Sequence, residues 1–300
     1  MSVFARGRRW QTLRRGRMVY RYRQRPDPRY TVGVYQPLEE ASPPRPCAAF
    51  VHGLEEGWEI WEPVALRLAR ALRSFCLDLP WSGRCRYDWA HETGVRRWIA
   101  RGLGLVPRPV DVVVAHSFGV NALLEHFDAR GLGSVKAAVL VSPFYRGRHE
   151  FSWPAFHHYM DNFERFLAAG LQVRRSGGRQ AAEPDPIVAR KVLDRIGPLG
   201  CLQFLNIFSR TPRLRLRALS IPVLIVGGEE DFYSLPEDCE TLRRALPRAE
   251  SRLLRRCGHF AMIEQPEALS SLIEQFLARS LGSPEREDEP AVLESTGGVA

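Results

Sequence analysis

Ser117 lies where a predicted strand meets a predicted helix. The segment from residue 111 to 119 reads DVVVAHSFG, so a valine-rich run precedes the serine, and Ala115 and Gly119 lie two positions to either side of it. A serine on a sharp strand-to-helix turn needs small residues at those positions because larger side chains would collide with nearby backbone. The pattern predicts that Ser117 is a nucleophile.

Asp231 and His259 are the expected partners of this serine. Asp231 ends the run IPVLIVGGEED, where an apolar strand passes into a glycine turn, and His259 follows the apolar run 251–254. In such an arrangement the histidine takes the serine proton, and the carboxylate orients the histidine and stabilises its charged form. Glu230 is the alternative acid.

The loop after the first strand of the core is expected to stabilise negative charge on a reacting oxygen. His52, Gly53 and Leu54 directly follow the apolar run 47–51. The backbone N–H groups of Leu54 and Phe118 are the predicted oxyanion donors. For His52, bracing of the loop is favoured over a reactive role.

Several other side chains are candidates for a substrate pocket, since such pockets are mostly apolar with few polar groups. They are Trp58, His116, Phe144, Phe156, Tyr159, Phe232 and Phe260. For each of them simple packing is the alternative. No cofactor and no metal are expected, because the six cysteines lack metal-ligand spacing and the adjacent His157 and His158 would point in different directions on a helix.

The elements that must position these residues follow an alternating pattern. Short apolar runs at 47–51, 75–79, 110–115, 137–141, 223–226 and 251–254 predict buried strands, and amphipathic stretches between them predict helices. This alternation predicts an α/β fold with a mostly parallel sheet and helices on both faces. Two alternating runs before residue 37 predict an antiparallel hairpin.

The pattern divides the chain into five parts. We expect a poorly ordered basic lead-in at 1–17, a first part of the core at 18–144, a helical lid at 145–215, a second part of the core at 216–281, and a disordered acidic tail at 282–300. Within the lid, Asp185 and Pro186 predict a helix start.

The composition narrows the classes of partner. The net charge is +9, but no recognisable nucleic-acid-binding module accompanies the basic residues, so nucleic-acid binding is not expected. No apolar run is long enough to span a membrane, and the N-terminus lacks the apolar stretch of a secretory signal, which favours a cytoplasmic location. The expected partner is a small, partly apolar acyl substrate; the sequence does not indicate an oligomeric state.

Five segments together resemble the α/β-hydrolase superfamily, in particular its lidded, esterase-like serine hydrolases. They are His52-Gly53 with Trp58 and Trp61, Asp78-Leu79-Pro80 with Gly83, Ala115-His-Ser-Phe-Gly119, Gly228-Glu-Glu-Asp231 and Gly258-His259-Phe260. The resemblance covers residues 18–281. It implies hydrolysis of an ester or thioester through an acyl-enzyme on Ser117, with Asp231 and His259 completing the triad.

Two questions stay open in the sequence. Glu55 and Glu56 stand where family members often have glycine. Either both carboxylates face solvent, or one of them addresses a cationic or hydroxylated group of the substrate; we expect solvent, because buried, unpaired glutamates are rare. The same pocket would also serve an acyltransferase or cyclase, a C–C bond hydrolase or lyase, or a binding scaffold that has lost turnover.

Overall fold

The computed structural model describes residues 10–15, 18–26, 31–37, 45–85, 87–92, 94–176 and 186–282. Within these ranges nine strands form a single sheet. In chain order they are β1 (Gln11–Arg15), β2 (Met18–Pro26), β3 (Thr31–Pro37), β4 (Cys47–Val51), β5 (Arg73–Asp78), β6 (Val112–His116), β7 (Ala137–Val141), β8 (Val223–Gly228) and β9 (Ala249–Leu254).

The strand order across the sheet is β1-β2-β3-β5-β4-β6-β7-β8-β9. From β5 to β9 all neighbours run parallel, whereas β1, β2 and β3 add an antiparallel extension at the β5 edge. Every residue of β4, β6, β7 and β8 is buried. Because successive side chains of a strand point to opposite faces, both faces of the central sheet are covered. The predicted mostly parallel α/β sheet and the predicted hairpin are confirmed.

The helices follow the strands in the expected alternation. They are α1 (Glu62–Arg67), α2 (Arg96–Leu103), α3 (Phe118–Arg130), α4 (Trp153–Asp161), α5 (Phe163–Ser176), α6 (Pro186–Arg210), α7 (Pro236–Ala245), α8 (Ala261–Glu264) and α9 (Pro266–Leu281). Helix α3 packs on α2, and α9 packs on α1, so the two sets of helices bury different parts of the sheet.

Strand β1 corrects the expectation of an unstructured lead-in at 1–17. Gln11–Arg15 pairs antiparallel with β2, and Trp10 lies with its ring centroid 6.5 Å from that of Phe75. An edge strand needs only one hydrogen-bonded neighbour, and the Arg14 side chain is exposed, so its charge does not oppose strand formation. The other lead-in residues, 1–9 and 16–17, lie outside the described residues.

Three of the helices lie between β7 and β8 in the chain, and we call them the helical insertion. They are α4, α5 and α6, and α6 begins at Pro186 as predicted. At Gly197 the backbone has φ +65°, so α6 consists of two helical segments that meet at a break. Asp185, the predicted helix cap, and residues 283–300 of the expected acidic tail at 282–300 lie outside the described residues.

Candidate active site

Ser117 occupies a sharp turn between β6 and α3. Its φ is +53°, a left-handed conformation that is strained for a residue with a side chain. The turn is held by backbone hydrogen bonds, in which the Ser117 N–H donates to Val141 O at 2.9 Å and the Val120 N–H donates to Ser117 O at 2.8 Å. At Gly119 an added Cβ would lie 2.5 Å from the carbonyl oxygen of His52, which explains why glycine is needed there.

The structure brings Ser117, His259 and Asp231 together in one hydrogen-bonded chain. Oγ of Ser117 lies 2.9 Å from Nε2 of His259, and Nδ1 of His259 lies 2.7 Å from Oδ2 of Asp231. All three residues are buried, with at most 4% of any of them exposed. Since a carboxylate only accepts, Nδ1 carries the proton and Nε2 is free to accept from the serine hydroxyl.

Backbone amides fix the orientation of Asp231. Its second oxygen, Oδ1, accepts from the N–H groups of Tyr233 and Ser234 at 3.0 and 2.9 Å. The neighbouring Glu230 is exposed, and the carboxylate that contacts the histidine is that of Asp231, so the geometry favours Asp231 over Glu230 as the acid.

The end of β8 lies very close to the loop that carries His259. A Cβ added at Gly228 would overlap the carbonyl oxygens of Cys257 and Gly258. Those two loops can approach only because residue 228 has no side chain. The glycine turn before Asp231 thus sets the distance between the carboxylate and the histidine.

The loop after β4 is fixed on both sides of Leu54. The Gly53 N–H donates to Oε2 of Glu56 at 2.5 Å, and the Glu55 N–H donates to Trp81 O at 3.0 Å. His52 braces the same loop, since its Nε2 accepts from the Leu79 N–H at 2.9 Å and its Nδ1 lies 2.8 Å from Gly53 O. These contacts hold the buried Leu54 in place directly after the strand.

The expectation that Glu55 and Glu56 face solvent is wrong, because each is only 3% exposed. Glu55 accepts a hydrogen bond from the Tyr87 hydroxyl and forms an ion pair with Arg195 of α6. Glu56 instead contacts His116 at the end of β6. Both carboxylates are tolerated in the interior because each has a cationic or hydrogen-bonding partner.

Glu56 and His116 form a buried pair beside His259. Oε1 of Glu56 lies 2.7 Å from Nδ1 of His116, and Nε2 of His116 lies 2.9 Å from the backbone oxygen of His259. Burial by itself opposes ionisation of Glu56, but the facing His116, together with His52 and the Gly53 amide, outweighs it and lowers the pKa of the carboxyl below 4.5.

Aromatic rings cover the triad on the side of the insertion. We call Phe163, Phe166, Phe204, Tyr233 and Phe260 the aromatic cover. The ring of Phe166 stands edge-on to that of His259 at 4.8 Å and stacks on Tyr233 at 4.0 Å. Phe204 lies 5.1 Å from Phe163. All five rings are buried, so the cover excludes water from the serine and the histidine.

The candidate pocket residues have different positions. His116 and Phe260 lie against the His259 ring, at 4.8 and 5.2 Å between ring centroids. Phe144 and Tyr159 are buried in a second layer, where Tyr159 donates to Asp238 at 2.7 Å.

The other three candidates pack against residues outside the aromatic cover. Trp58 stacks on Tyr35 at 4.2 Å in the core below β3, and Phe156 packs against the exposed Trp153. Phe232 is half-buried with the guanidinium of Arg165 over its ring.

Four residues that sequence reasoning did not single out for the site lie at it: Glu56, Ser142, Phe166 and Tyr233. The Ser142 hydroxyl donates to His259 O at 3.1 Å. Phe166 lies in α5 of the insertion, and Tyr233 follows Asp231 by two positions. The sequence placed Phe156 and Tyr159 among the pocket candidates, but it did not show which ring of the insertion would face the histidine.

The family model for the alpha/beta hydrolase family matches residues 48–272. This chain belongs to the alpha/beta hydrolase family. The match spans the serine, the acid and the histidine together with the whole helical insertion.

Relatives and solved structures agree with this membership. A pimeloyl-[acyl-carrier protein] methyl ester esterase of Nitrosospira multiformis is 24% identical over 250 residues, which cover 77% of this chain and 94% of the relative. A candidate lipase, lip1, of Acinetobacter baumannii AYE superposes with a TM-score of 0.64 at 17% identity over 92% of both chains. A thermophilic esterase of Thermogutta terrifontis gives 0.54 at 19% identity, over 83% of this chain and 94% of that one.

Two further properties bear on the hydrolase. No helix in the described ranges is both long and apolar enough to cross a membrane. Among the described residues, no three histidine, cysteine or acidic side chains cluster in a way that could hold a metal ion.

Proposed function

We propose that this alpha/beta hydrolase cleaves an ester or thioester through an acyl-enzyme on Ser117. The observation that carries the proposal is the hydrogen-bonded chain from Ser117 through His259 to Asp231, with distances of 2.9 and 2.7 Å. These distances suit transfer of the serine proton to the histidine without any rearrangement of the three side chains.

In the first half of the reaction, Oγ of Ser117 attacks the acyl carbon while Nε2 of His259 takes the hydroxyl proton. The tetrahedral intermediate then collapses, and His259 returns the proton to the departing alcohol or thiol. Asp231 keeps the proton of His259 on Nδ1 and balances the positive charge of the imidazolium. The acyl group is left as an ester on Ser117.

In the second half, water replaces the alcohol or thiol. His259 takes a proton from the water, the resulting hydroxide attacks the acyl carbon, and the acid leaves as Ser117 regains its proton. An amine or alcohol of the substrate could attack in place of water, which would give acyl transfer or cyclisation with the same residues.

The backbone N–H groups of Leu54 and Phe118 are the proposed donors to the negative oxygen of each tetrahedral intermediate. Phe118 is the first residue of α3, so its N–H lies at the positive end of the helix dipole. Leu54 lies between two anchored amides, those of Gly53 and Glu55. Each donor is worth about 2.7 to 4 kcal/mol of transition-state stabilisation.

The substrate of this site is expected to be partly apolar. The aromatic cover faces the serine and the histidine, and the relative from Nitrosospira multiformis is named for a methyl ester of an acyl group. Because Ser117 is 1% exposed, the helical insertion must act as a lid that moves to admit the substrate.

A fluorophosphonate probe and a panel of acyl esters and thioesters test the proposal. We expect wild-type protein to be labelled and to turn over at least one substrate, and Ser117→Ala to lose labelling and at least about 1,000-fold of kcat/KM. The matched control is Ser74→Ala, which removes a buried hydroxyl of β5 away from the site.

Full turnover by Ser117→Ala on every accepted substrate would contradict the proposal. Product analysis separates the related reactions, since hydrolysis releases a free acid, acyl transfer gives a new ester or amide, and C–C cleavage breaks a carbon skeleton. A wild-type protein that is neither labelled nor active would indicate a binding scaffold instead.

A further inference from the structure

We propose that Glu56 and His116 act as one positioning unit that holds the oxyanion loop and the catalytic histidine in register. The inference rests on the proposed function, because it assigns roles relative to Leu54 and His259. Neither Glu56 nor His116 would touch the substrate. Both would act through the backbone of residues that do.

The unit is an unbroken chain of polar contacts between two separate segments. At one end the Gly53 N–H donates to Oε2 of Glu56 at 2.5 Å, next to the Leu54 amide. In the middle, Oε1 of Glu56 and Nδ1 of His116 are 2.7 Å apart. At the other end, Nε2 of His116 lies 2.9 Å from the backbone oxygen of His259. The chain spans from residue 53 to residue 259 with two side chains.

The positions of the protons follow from the partners. The backbone oxygen of His259 can only accept, so Nε2 of His116 must donate to it. Oε2 of Glu56 accepts from Gly53, which leaves Oε1 to face Nδ1 of His116. One proton must lie between Oε1 of Glu56 and Nδ1 of His116, since two lone pairs 2.7 Å apart would repel each other.

Burial makes this pair rigid. His116 is fully buried and Glu56 is 3% exposed, so no water competes for their polar atoms. Separation of the two side chains in the interior would leave buried polar atoms without a partner, which is costly. The pair is neutral as a whole, so it fixes the backbone of His259 without a net charge that would change the protonation of the catalytic ring.

The backbone of His259 is held from a second direction as well. The Ser142 hydroxyl donates to the same oxygen of His259 at 3.1 Å. Two donors on one carbonyl fix the direction of the peptide plane, and hence the direction in which the imidazole extends toward Ser117. Of these two supports, the pair of Glu56 and His116 also contacts the oxyanion loop.

The experiment compares Glu56→Gln with Glu125→Gln. Both variants exchange a buried glutamate for an amide of the same shape. Glu125 lies on α3 and pairs with Arg210 at the end of α6, outside the site. We expect Glu56→Gln to lower kcat per labelled Ser117 by about 10- to 100-fold, the size seen for residues that orient another active residue. KM should change by less than about 3-fold, because the substrate contacts remain. Glu125→Gln should keep the wild-type kcat.

The fluorophosphonate probe counts intact sites, so partial unfolding is separated from misplacement. Loss of kcat that disappears when activity is expressed per labelled site would mean that Glu56 only stabilises the fold, and the inference would be overturned. A wild-type kcat in Glu56→Gln would overturn it as well, and the proposed function would stand if Ser117→Ala is inactive.

A double variant tests whether the two residues act as a unit. If they do, Glu56→Gln combined with His116→Gln should have a kcat within about 3-fold of the slower single variant, because the first change already breaks the chain. Multiplication of the two single effects would show that Glu56 and His116 act independently, which contradicts the inference.

Discussion

The carboxyl edge of the sheet and the helical insertion contribute to the site in different ways. At the sheet edge the reacting groups are fixed by backbone contacts, such as the Ser117 N–H on Val141 O and two amides on Asp231. The insertion reaches the same site through rings and long side chains, among them Phe166 on His259 and Arg195 on Glu55. Backbone contacts define the chemistry, whereas side-chain contacts define what covers it.

The two regions also differ in how many large hydrophobic side chains they expose. Five of the six large hydrophobic side chains that are exposed among the described residues belong to the insertion. They are Trp153, Met160, Ile187, Leu199 and Leu202. The sixth, Leu253, lies on β9 at the edge of the sheet. An element that packs incompletely opens at lower cost than a buried sheet does, so movement is expected in the insertion.

The largest effect should follow from Asp231→Asn, which changes one atom at the sheet edge. In this variant the Tyr233 and Ser234 amides would keep the side-chain oxygen as their acceptor, so the new amide nitrogen would face Nδ1 of His259. His259 would then carry its proton on Nε2 and could not accept from Ser117. We expect kcat to fall by about 10,000-fold with the fold intact.

The control for that variant is Glu230→Gln, because Glu230 is adjacent and exposed. Steady-state rates and the melting temperature of both proteins check the prediction. A fall of less than about 10-fold in Asp231→Asn would mean that backbone orientation of the carboxylate is not decisive.

A smaller and more selective effect is expected from Phe166→Ala in the insertion. Removal of a ring that stands over His259 opens space beside the acyl group, so bulky acyl substrates should gain over short ones. We expect the ratio of kcat/KM for long and short esters to change by about 10-fold. Trp153→Ala, which alters an exposed ring of the same insertion, should leave this ratio unchanged.

The ratio is measured with esters of graded chain length on both variants. If Phe166→Ala slows all substrates equally, the aromatic cover contributes to orientation of His259 and not to selection of the substrate. The insertion would then help to position the histidine, as the sheet edge does.

The acid dependence of stability should reveal the ionised Glu56. The facing His116 and His52 and the Gly53 amide overcome the effect of burial and hold the pKa of this carboxyl below 4.5 in the folded protein. A depressed pKa stabilises the fold above the unfolded value and loses that contribution as pH falls through the folded value. The unfolding free energy of Glu56→Gln should therefore decline less than that of wild type below about pH 4.5.

Urea unfolding at several acidic pH values checks this prediction, with the exposed Glu274→Gln as the control. Equal acid sensitivity of Glu56→Gln and wild type would show that Glu56 is not ionised in the folded protein. That result would remove the charge from the pair with His116, although the contacts would remain.

The smallest effect is expected from Arg195→Ala, which breaks the ion pair between the insertion and the loop after β4. The Arg195 side chain is 41% exposed, and Glu55 also accepts from the Tyr87 hydroxyl. We expect a loss of about 1 to 2 kcal/mol in unfolding free energy, because solvent screens the exposed guanidinium but the buried Glu55 carboxylate loses a cationic partner. Arg190→Ala, with a fully surface pair to Asp194, is the control.

A much larger loss in Arg195→Ala, measured by the same unfolding experiment, would show that the insertion and the sheet edge form one rigid unit. The insertion would then not open separately from the sheet edge.

Particular residues show how far sequence reasoning reaches in this protein. Ser117, Asp231 and His259 were predictable because each follows an apolar strand and a local turn pattern, and parallel strands bring their carboxyl ends to one edge. Strand β1 was missed because an arginine-rich run resembles a flexible terminus. The burial of Glu55 and Glu56 was missed because their partners are distant in the chain, at residues 87, 116 and 195.

By itself, the sequence determined the strand–helix alternation, the order of Ser117, Asp231 and His259 along the chain, and the small residues that allow the turns. These properties depend on short segments, where side-chain size and local periodicity act directly on the backbone. Tertiary structure alone decided that Glu56 pairs with His116, that Phe166 and not Phe156 covers His259, and that Glu55 binds the insertion. Those contacts join segments far apart in the chain, and their energies exist only once the sheet has brought the segments together.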